Sequence, residues 1–277
     1  MGFKYDKYNK YHRFGRQVLI TIASLIVFAM LWWMIANLVS KGILFDTPTK
    51  NIISKPNEVW NALIDLIANG DPRTNTSIWT YIKTSLKSLL AGFGLALLIT
   101  LPMGLILGTF KLVREFTSPW VEILRPIAPI AWATVFLQIT QNQFNATVLV
   151  VFVGIFFPML TNIIFGVQKI DGKLIDASKT LGASNLQIFY KILIPSTIPY
   201  FMNGVKIGLG IGWMCIVAAE MVSSSPGIGF FVSYVSEFSY PAMYAGILII
   251  AILGLMTTGV AEYAHKIINK RMGVETN

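Results

Sequence analysis

Residues Pro126–Gln168 read PIAPIAWATVFLQITQNQFNATVLVVFVGIFFPMLTNIIFGVQ, without one charged side chain. As a single α-helix this stretch would be roughly 65 Å long, about twice the hydrocarbon thickness of a bilayer. It must fold back, and the amide knot Gln141-Asn142-Gln143 marks the turn. Two membrane spans are predicted, near 119–139 and 144–166. The remaining apolar runs follow the same logic. Val18–Val39 as a helix measures roughly 33 Å, enough to cross. Ser88–Phe110 is uncharged, and its helix is predicted to begin near Tyr81. Ser196–Glu220 and Phe238–Ala261 supply a fifth and a sixth span. The predicted fold class is all-α and integral to the membrane, with about six transmembrane helices.

Composition agrees. Of the 277 residues 55% are hydrophobic and 13% charged, against about 25% charged in a soluble domain. The single cysteine, Cys215, excludes an intrachain disulfide and a zinc or redox pair. The net charge of +9 is spread along the chain rather than gathered on one soluble patch, which argues against nucleic acid. The first apolar run is too long for a secretory leader and no clear A-x-A site follows it, so it is read as a retained span.

The cations orient the chain. With the N-terminus inside, Lys4, Lys7, Lys10, Arg13, Arg16, Lys111, Arg114, Lys169, Lys173, Lys179, Lys191, Lys266, Lys270 and Arg271 all fall on the cytoplasmic side. The outer loop 221–237 has no Lys or Arg, and the outer loop 41–80 balances its four with Asp46, Glu58, Asp65 and Asp71. This is the positive-inside bias. It predicts a cytoplasmic tail (1–17), a first helix (18–39), an extracellular segment (40–80), a core (81–265) with a cytoplasmic loop at 169–195, and a cytoplasmic tail (266–277). Both termini lie inside.

The loop is unusually organised. Asp171 can cap a helix starting at Gly172, with Leu174, Ala177 and Leu181 on one face. Gly182 suits a C-terminal stop. Ser184 and Gln187 form a capping box for a second short helix, whose apolar face is predicted to carry Leu186, Phe189 and Leu193. Pro195 and Pro199 punctuate the start of the fifth span. Pattern alone leaves two readings open: a rigid knob that transmits force, or an amphipathic element lying on anionic headgroups. Elsewhere, Gly204, Gly208 and Gly212, like Gly104 and Gly108, recur every fourth residue, which suits close helix packing. GLGIGW (208–213) follows no strand and is not a nucleotide loop, and no G-x-x-x-x-G-K-[ST] occurs.

Asp176-Ala177-Ser178, three residues, Gly182, nine residues, then Ile192-Leu193-Ile194-Pro195 resembles the E-A-A-x3-G-x9-I-x-L-P loop of ABC-importer permeases. LRPIAPIAW (124–132), GIGWMCIVAAEM (210–221), SSSPGIGFFV (223–232) and ISKPNEVWNAL (53–63) resemble, in order, segments of the nitrate/sulfonate/taurine branch. LQITQNQF (137–144) departs from that branch, which usually shows a run ending L-W-F-G-I-G. The resemblance implies a homodimer of permease subunits and two cytoplasmic ATPases that carry ATP and magnesium. It also implies an extracellular binding protein that delivers a small solute, with no cofactor on this chain. The loop would supply coupling helices: Asp176, Ala177, Ser178, Gly182, Ala183 and Pro195 as motif positions, and Leu181, Leu186 and Phe189 filling the ATPase groove or packing within the knob. Glu220, Trp132, Trp213 and Lys206 are pathway or gating candidates. For Glu220 a structural or gating role is preferred to substrate contact; for Lys206, snorkelling to the headgroups. Arg125 is read as an interfacial anchor. The branch points to a small anion, with an aromatic or vitamin-precursor solute as the alternative. An ion-coupled carrier would need polar pairs deep in several spans and inverted repeats, and a membrane enzyme would need convergent acids or histidines. Neither is seen, and His12 and His265 lie in terminal segments.

Overall fold

A computed structural model of the chain describes residues 7–42, 52–71 and 73–272. Lys4, Asp46, Lys50 and the tail beyond Met272, used above for orientation, lie outside the described residues, as do the side chains of Lys7, Lys10 and Arg13. The helices are α1 (Lys7–Ser40), α2 (Pro56–Asn69), α3 (Ile78–Thr109), α4 (Lys111–Leu124), α5 (Pro129–Thr140), α6 (Gln143–Gln168), α7 (Gly172–Thr180), α8 (Asn185–Ile188), α9 (Ile194–Ser223), α10 (Ile228–Val235) and α11 (Tyr240–Arg271). A five-residue π turn, Phe189–Leu193, joins α8 to α9.

Five of these helices are long and apolar enough to cross a membrane, and six spans result if the bent pair α4–α5 counts as one. The centre of the bundle is α6, packed between α3 and α9. Small residues bring the axes together. A Cβ on Gly208 or Gly212 of α9 would press on Ile155 at 2.9 Å, and one on Gly204 would lie 3.0 Å from Asn162. The resulting core is dry: Leu89, Val151, Ile155, Met159 and Ile216 are fully buried. Outside it, α1 leans on α2 and α11 through Ala36, Val39 and the Trp32–Tyr244 ring contact at 6.1 Å.

The span predicted over 119–139 is not one helix. Its two halves, α4 and α5, meet at 93°. Pro126 and Pro129 bracket the break; each lacks an amide donor, and the residue before Pro129, Ala128, is extended at ψ 130°. The turn predicted at Gln141-Asn142-Gln143 is where the chain reverses: Gln141 is left-handed (φ 48°), and the Asn142 side chain caps α6 by accepting from the Asn145 N–H at 3.1 Å.

Two segments read as outer loops contain helices. In 40–80, α2 buries Val59, Leu63 and Leu66. In 221–237, α10 buries Ile228, Phe231, Val232 and Val235 against Tyr81 of α3 and against α11. Both are short and sit beside uncharged or mixed-charge stretches, so hydropathy windows sized for a membrane span pass over them.

Candidate functional site

The loop at 169–195 is an elbow of two capped helices. Asp171 accepts from the Lys173 N–H at 2.9 Å and starts α7. α7 ends at its C-cap, Leu181, and Gly182 takes φ +82°, a conformation that favours glycine. The reciprocal capping box then starts α8: the Gln187 N–H donates to Ser184 Oγ at 3.3 Å, and the Ser184 N–H donates to Gln187 Oε1 at 2.9 Å. Each cap satisfies donors that a helix end leaves free.

Side chains divide sharply along the elbow. Leu181 is 88% exposed and Leu186 67% exposed. Asp176, Ala177 and Gly182 are exposed, while Ser178, Ala183 and Pro195 are half-buried. Ile188 and Leu193 are buried, and Phe189 packs partly against the cluster of Leu105, Ile163, Val167 and Leu193. Of the predicted apolar face, Phe189 and Leu193 turn inward as expected and Leu186 does not, which corrects that one position. The buried pair, Ile188 and Leu193, is five residues apart because the π turn intervenes, its Ile194 N–H bonding to the Phe189 carbonyl. Leu186 is left facing out. The inner side of the elbow borders a cavity of about 670 Å³, lined by Lys169, Asp171, Ser196, Tyr200 and Asn203 among others.

Arg114 anchors the same end of the bundle. Its guanidinium donates to the Leu107 and Gly108 carbonyls at 3.2 and 3.0 Å, closing the C-terminus of α3. With its amide oxygen turned toward Arg114, Gln168 accepts at 3.0 Å, which adds the end of α6. Sequence reasoning assigned Arg114 only to the positive-inside count.

At the opposite end lies a buried polar knot. Glu220, fully buried, accepts from Ser85 Oγ–H at 2.7 Å on one oxygen and from the Gly229 N–H at 2.8 Å on the other. Ser85 Oγ in turn accepts from the Ile228 N–H at 2.9 Å. A side chain on α9 and another on α3 thus cap α10, whose own N-cap residue, Gly227, has no side chain to offer. A Cβ at Gly227 would overlap the Glu220 carboxyl, so glycine is required there. Glu220 was legible as an acid ending an apolar run. Ser85 carries no signal in sequence, being one hydroxyl on a long apolar helix.

The other pathway candidates separate. Trp213 is buried and donates from its indole N–H to Thr257 Oγ1 at 2.8 Å, pinning α9 to α11. Trp132 stacks on Phe136 with centroids 5.8 Å apart, and its indole N–H is buried without an acceptor among the described residues. Lys206 does not simply snorkel. It pairs with Glu262 of α11 at 3.1 Å, and Lys266 holds the other Glu262 oxygen at 3.0 Å. These groups do not converge into one pocket; they mark three separate α9 contacts at different heights, besides Trp132 on α5.

The family model for the binding-protein-dependent transport system inner membrane component matches residues 96–274. The chain belongs to that family. It is a transport permease family, not an enzyme family, and its members are multi-pass membrane proteins that work with an ATPase and a binding protein. Among the permease's relatives, the Escherichia coli taurine transport system permease protein TauC is 29% identical over 243 residues, covering 87% of this chain and 86% of TauC. A putative ABC transporter permease protein of Methanocaldococcus jannaschii is 35% identical, over 74% and 77% of the two chains. The bicarbonate transport system permease protein CmpB of Synechocystis is 30% identical, over 91% and 89%. An inward-facing chain of the MetNI methionine ABC transporter shares the fold at a TM-score of 0.61 and 18% identity, covering 72% of this permease and 99% of that chain. The permease is thus the membrane-spanning subunit of an ATP-driven importer.

Proposed function

We propose that the permease works as a homodimer and couples ATP hydrolysis to import through the α7–α8 elbow. In this reading the elbow lies in the cytoplasm, as do both termini. A groove on each ATPase receives Leu181 and Leu186, while Asp176, Ala177, Ser178, Gly182, Ala183 and Pro195 shape the knob. Phe189 serves from the other side, wedging the knob against α3 and α6. ATP and magnesium belong to the ATPases, and this chain holds no cofactor. The cargo is a small solute that carries an anionic group, of the nitrate, taurine or bicarbonate type, handed over outside by a binding protein.

The observation that carries the coupling reading is the pair of bare leucines on a doubly capped elbow. Two large apolar side chains held rigidly in the open, where the knob's own core uses Ile188 and Leu193 instead, suit a protein groove. Closure of the ATPase pair would move both elbows and rock the spans. Replacing Gly182 by Pro, which cannot adopt φ +82°, is expected to abolish substrate-stimulated ATP hydrolysis and uptake while leaving membrane insertion intact. The milder pair Leu181→Ser and Leu186→Ser is expected to weaken ATPase co-purification about tenfold or more. Full retention of the ATPase by that double variant would refute the groove.

A further inference from the structure

The break between α4 and α5 holds an arginine with no counter-ion among the described residues. α5 has 12 residues and is about 18 Å long, well short of a hydrocarbon core of about 30 Å. Its C-terminal end is at the turn that starts α6, on one membrane face. Its N-terminal end therefore stops partway along the α6 span. Packing agrees: a Cβ on Gly154, midway along α6, would lie 3.6 Å from Pro129 Cγ. Arg125 is four residues before Pro129, in the connecting bend, and is exposed on the surface of the single chain. It makes no ion pair and no side-chain hydrogen bond among the described residues; Glu122, one turn earlier, is not paired with it. Seven residues further on, the Trp132 indole N–H is a second donor without an acceptor among the described residues.

An unmatched guanidinium at that depth is costly against lipid and is tolerated beside water or a counter-charge. Half-helices that end inside the membrane are a recurrent way of building ion sites in carriers, and the start of α5 adds its positive end to the same bend. We propose that Arg125 borders the aqueous passage between two copies of the permease and pairs transiently with the anionic cargo as it crosses. This replaces the interfacial-anchor reading of the sequence and rests on the proposed anionic cargo. It names a selectivity residue in the permease itself, separate from whatever the binding protein selects. Two copies related by a two-fold axis would present two such guanidiniums to one passage.

The test uses the full complex, with its ATPase and binding protein, in proteoliposomes, and nitrate, taurine and bicarbonate as labelled probes. Arg125→Cys is expected to lower uptake about tenfold or more with basal ATP hydrolysis unchanged. Cys215, the one thiol of this chain, is buried; measured against the unaltered complex treated in the same way, a cationic trimethylammonium-ethyl thiosulfonate reagent is expected to restore uptake at position 125 and an anionic sulfonato-ethyl reagent is not. Arg125→Lys is expected to keep most uptake and Arg125→Gln to lose it. Equal behaviour of the two reagents, equal uptake by Arg125→Lys and Arg125→Gln, or parallel loss of basal hydrolysis overturns the assignment while the importer reading stands. Failure of the unaltered complex to carry any of the three probes, with hydrolysis intact, overturns the anionic cargo and this inference together.

Discussion

Truncating Glu220 would strand Ser85 Oγ–H and the Gly229 N–H in a site that water does not reach. Each stranded donor costs about 1–3 kcal/mol. Glu220→Ala is therefore expected to lower the thermal unfolding midpoint in detergent well beyond Glu220→Gln, whose amide oxygen still accepts one of the two bonds. Equal midpoints would mean that α10 is held by its apolar contacts alone. Sequence made half of this visible. An acid closing an apolar run is conspicuous, but its partner is a serine 135 positions away, and no local pattern points to it. The same holds for Lys206, whose lone charge was evident and whose Glu262 counter-ion was not. Arg125 was visible too, yet hydropathy does not report the 93° bend that holds it.

Helices whose signals are local were readable; those whose signals are relational were not. The caps of α7 and α8 depend on side chains within three residues, and Asp171, Gly182, Ser184 and Gln187 all sit where the sequence placed them. The π turn at Phe189–Leu193 shifts the helical phase, so the face predicted from a 3.6-residue period came out with Leu186 on the wrong side. The glycine stripe on α9 gives a sharper test at this scale. Gly208 faces Ile155 at 2.9 Å and Gly210 faces open space. Gly208→Val is expected to destabilise the bundle by about 1–3 kcal/mol through overpacking. Gly210→Ala is expected to be neutral to slightly stabilising, read as yield and unfolding temperature in detergent. Similar losses at both positions would contradict the packing of α9 on α6.

For the molecule as a whole, span number and order followed from hydropathy because apolar length is a one-dimensional property. Arrangement in depth did not, since α2, α4, α5 and α10 are each too short to cross. The proposed orientation has a direct check. Cysteine at Ser178, on the elbow, is expected to resist a membrane-impermeant maleimide applied to intact cells. Cysteine at Gln141, at the opposite turn, is expected to react. The reverse pattern would invert the topology and remove the elbow from the ATPases.

The second elbow helix has no loop between it and the membrane: Asn185 to Ser223 runs unbroken, through the π turn. One end carries Leu186, and three residues before the other is Glu220, gripping α10. The segment is a single beam whose tip positions are not independent. Thermodynamic reciprocity then fixes a numerical identity. Whatever factor a nucleotide-loaded engine applies to the affinity for a ligand outside, that ligand must apply to the engine's grip inside.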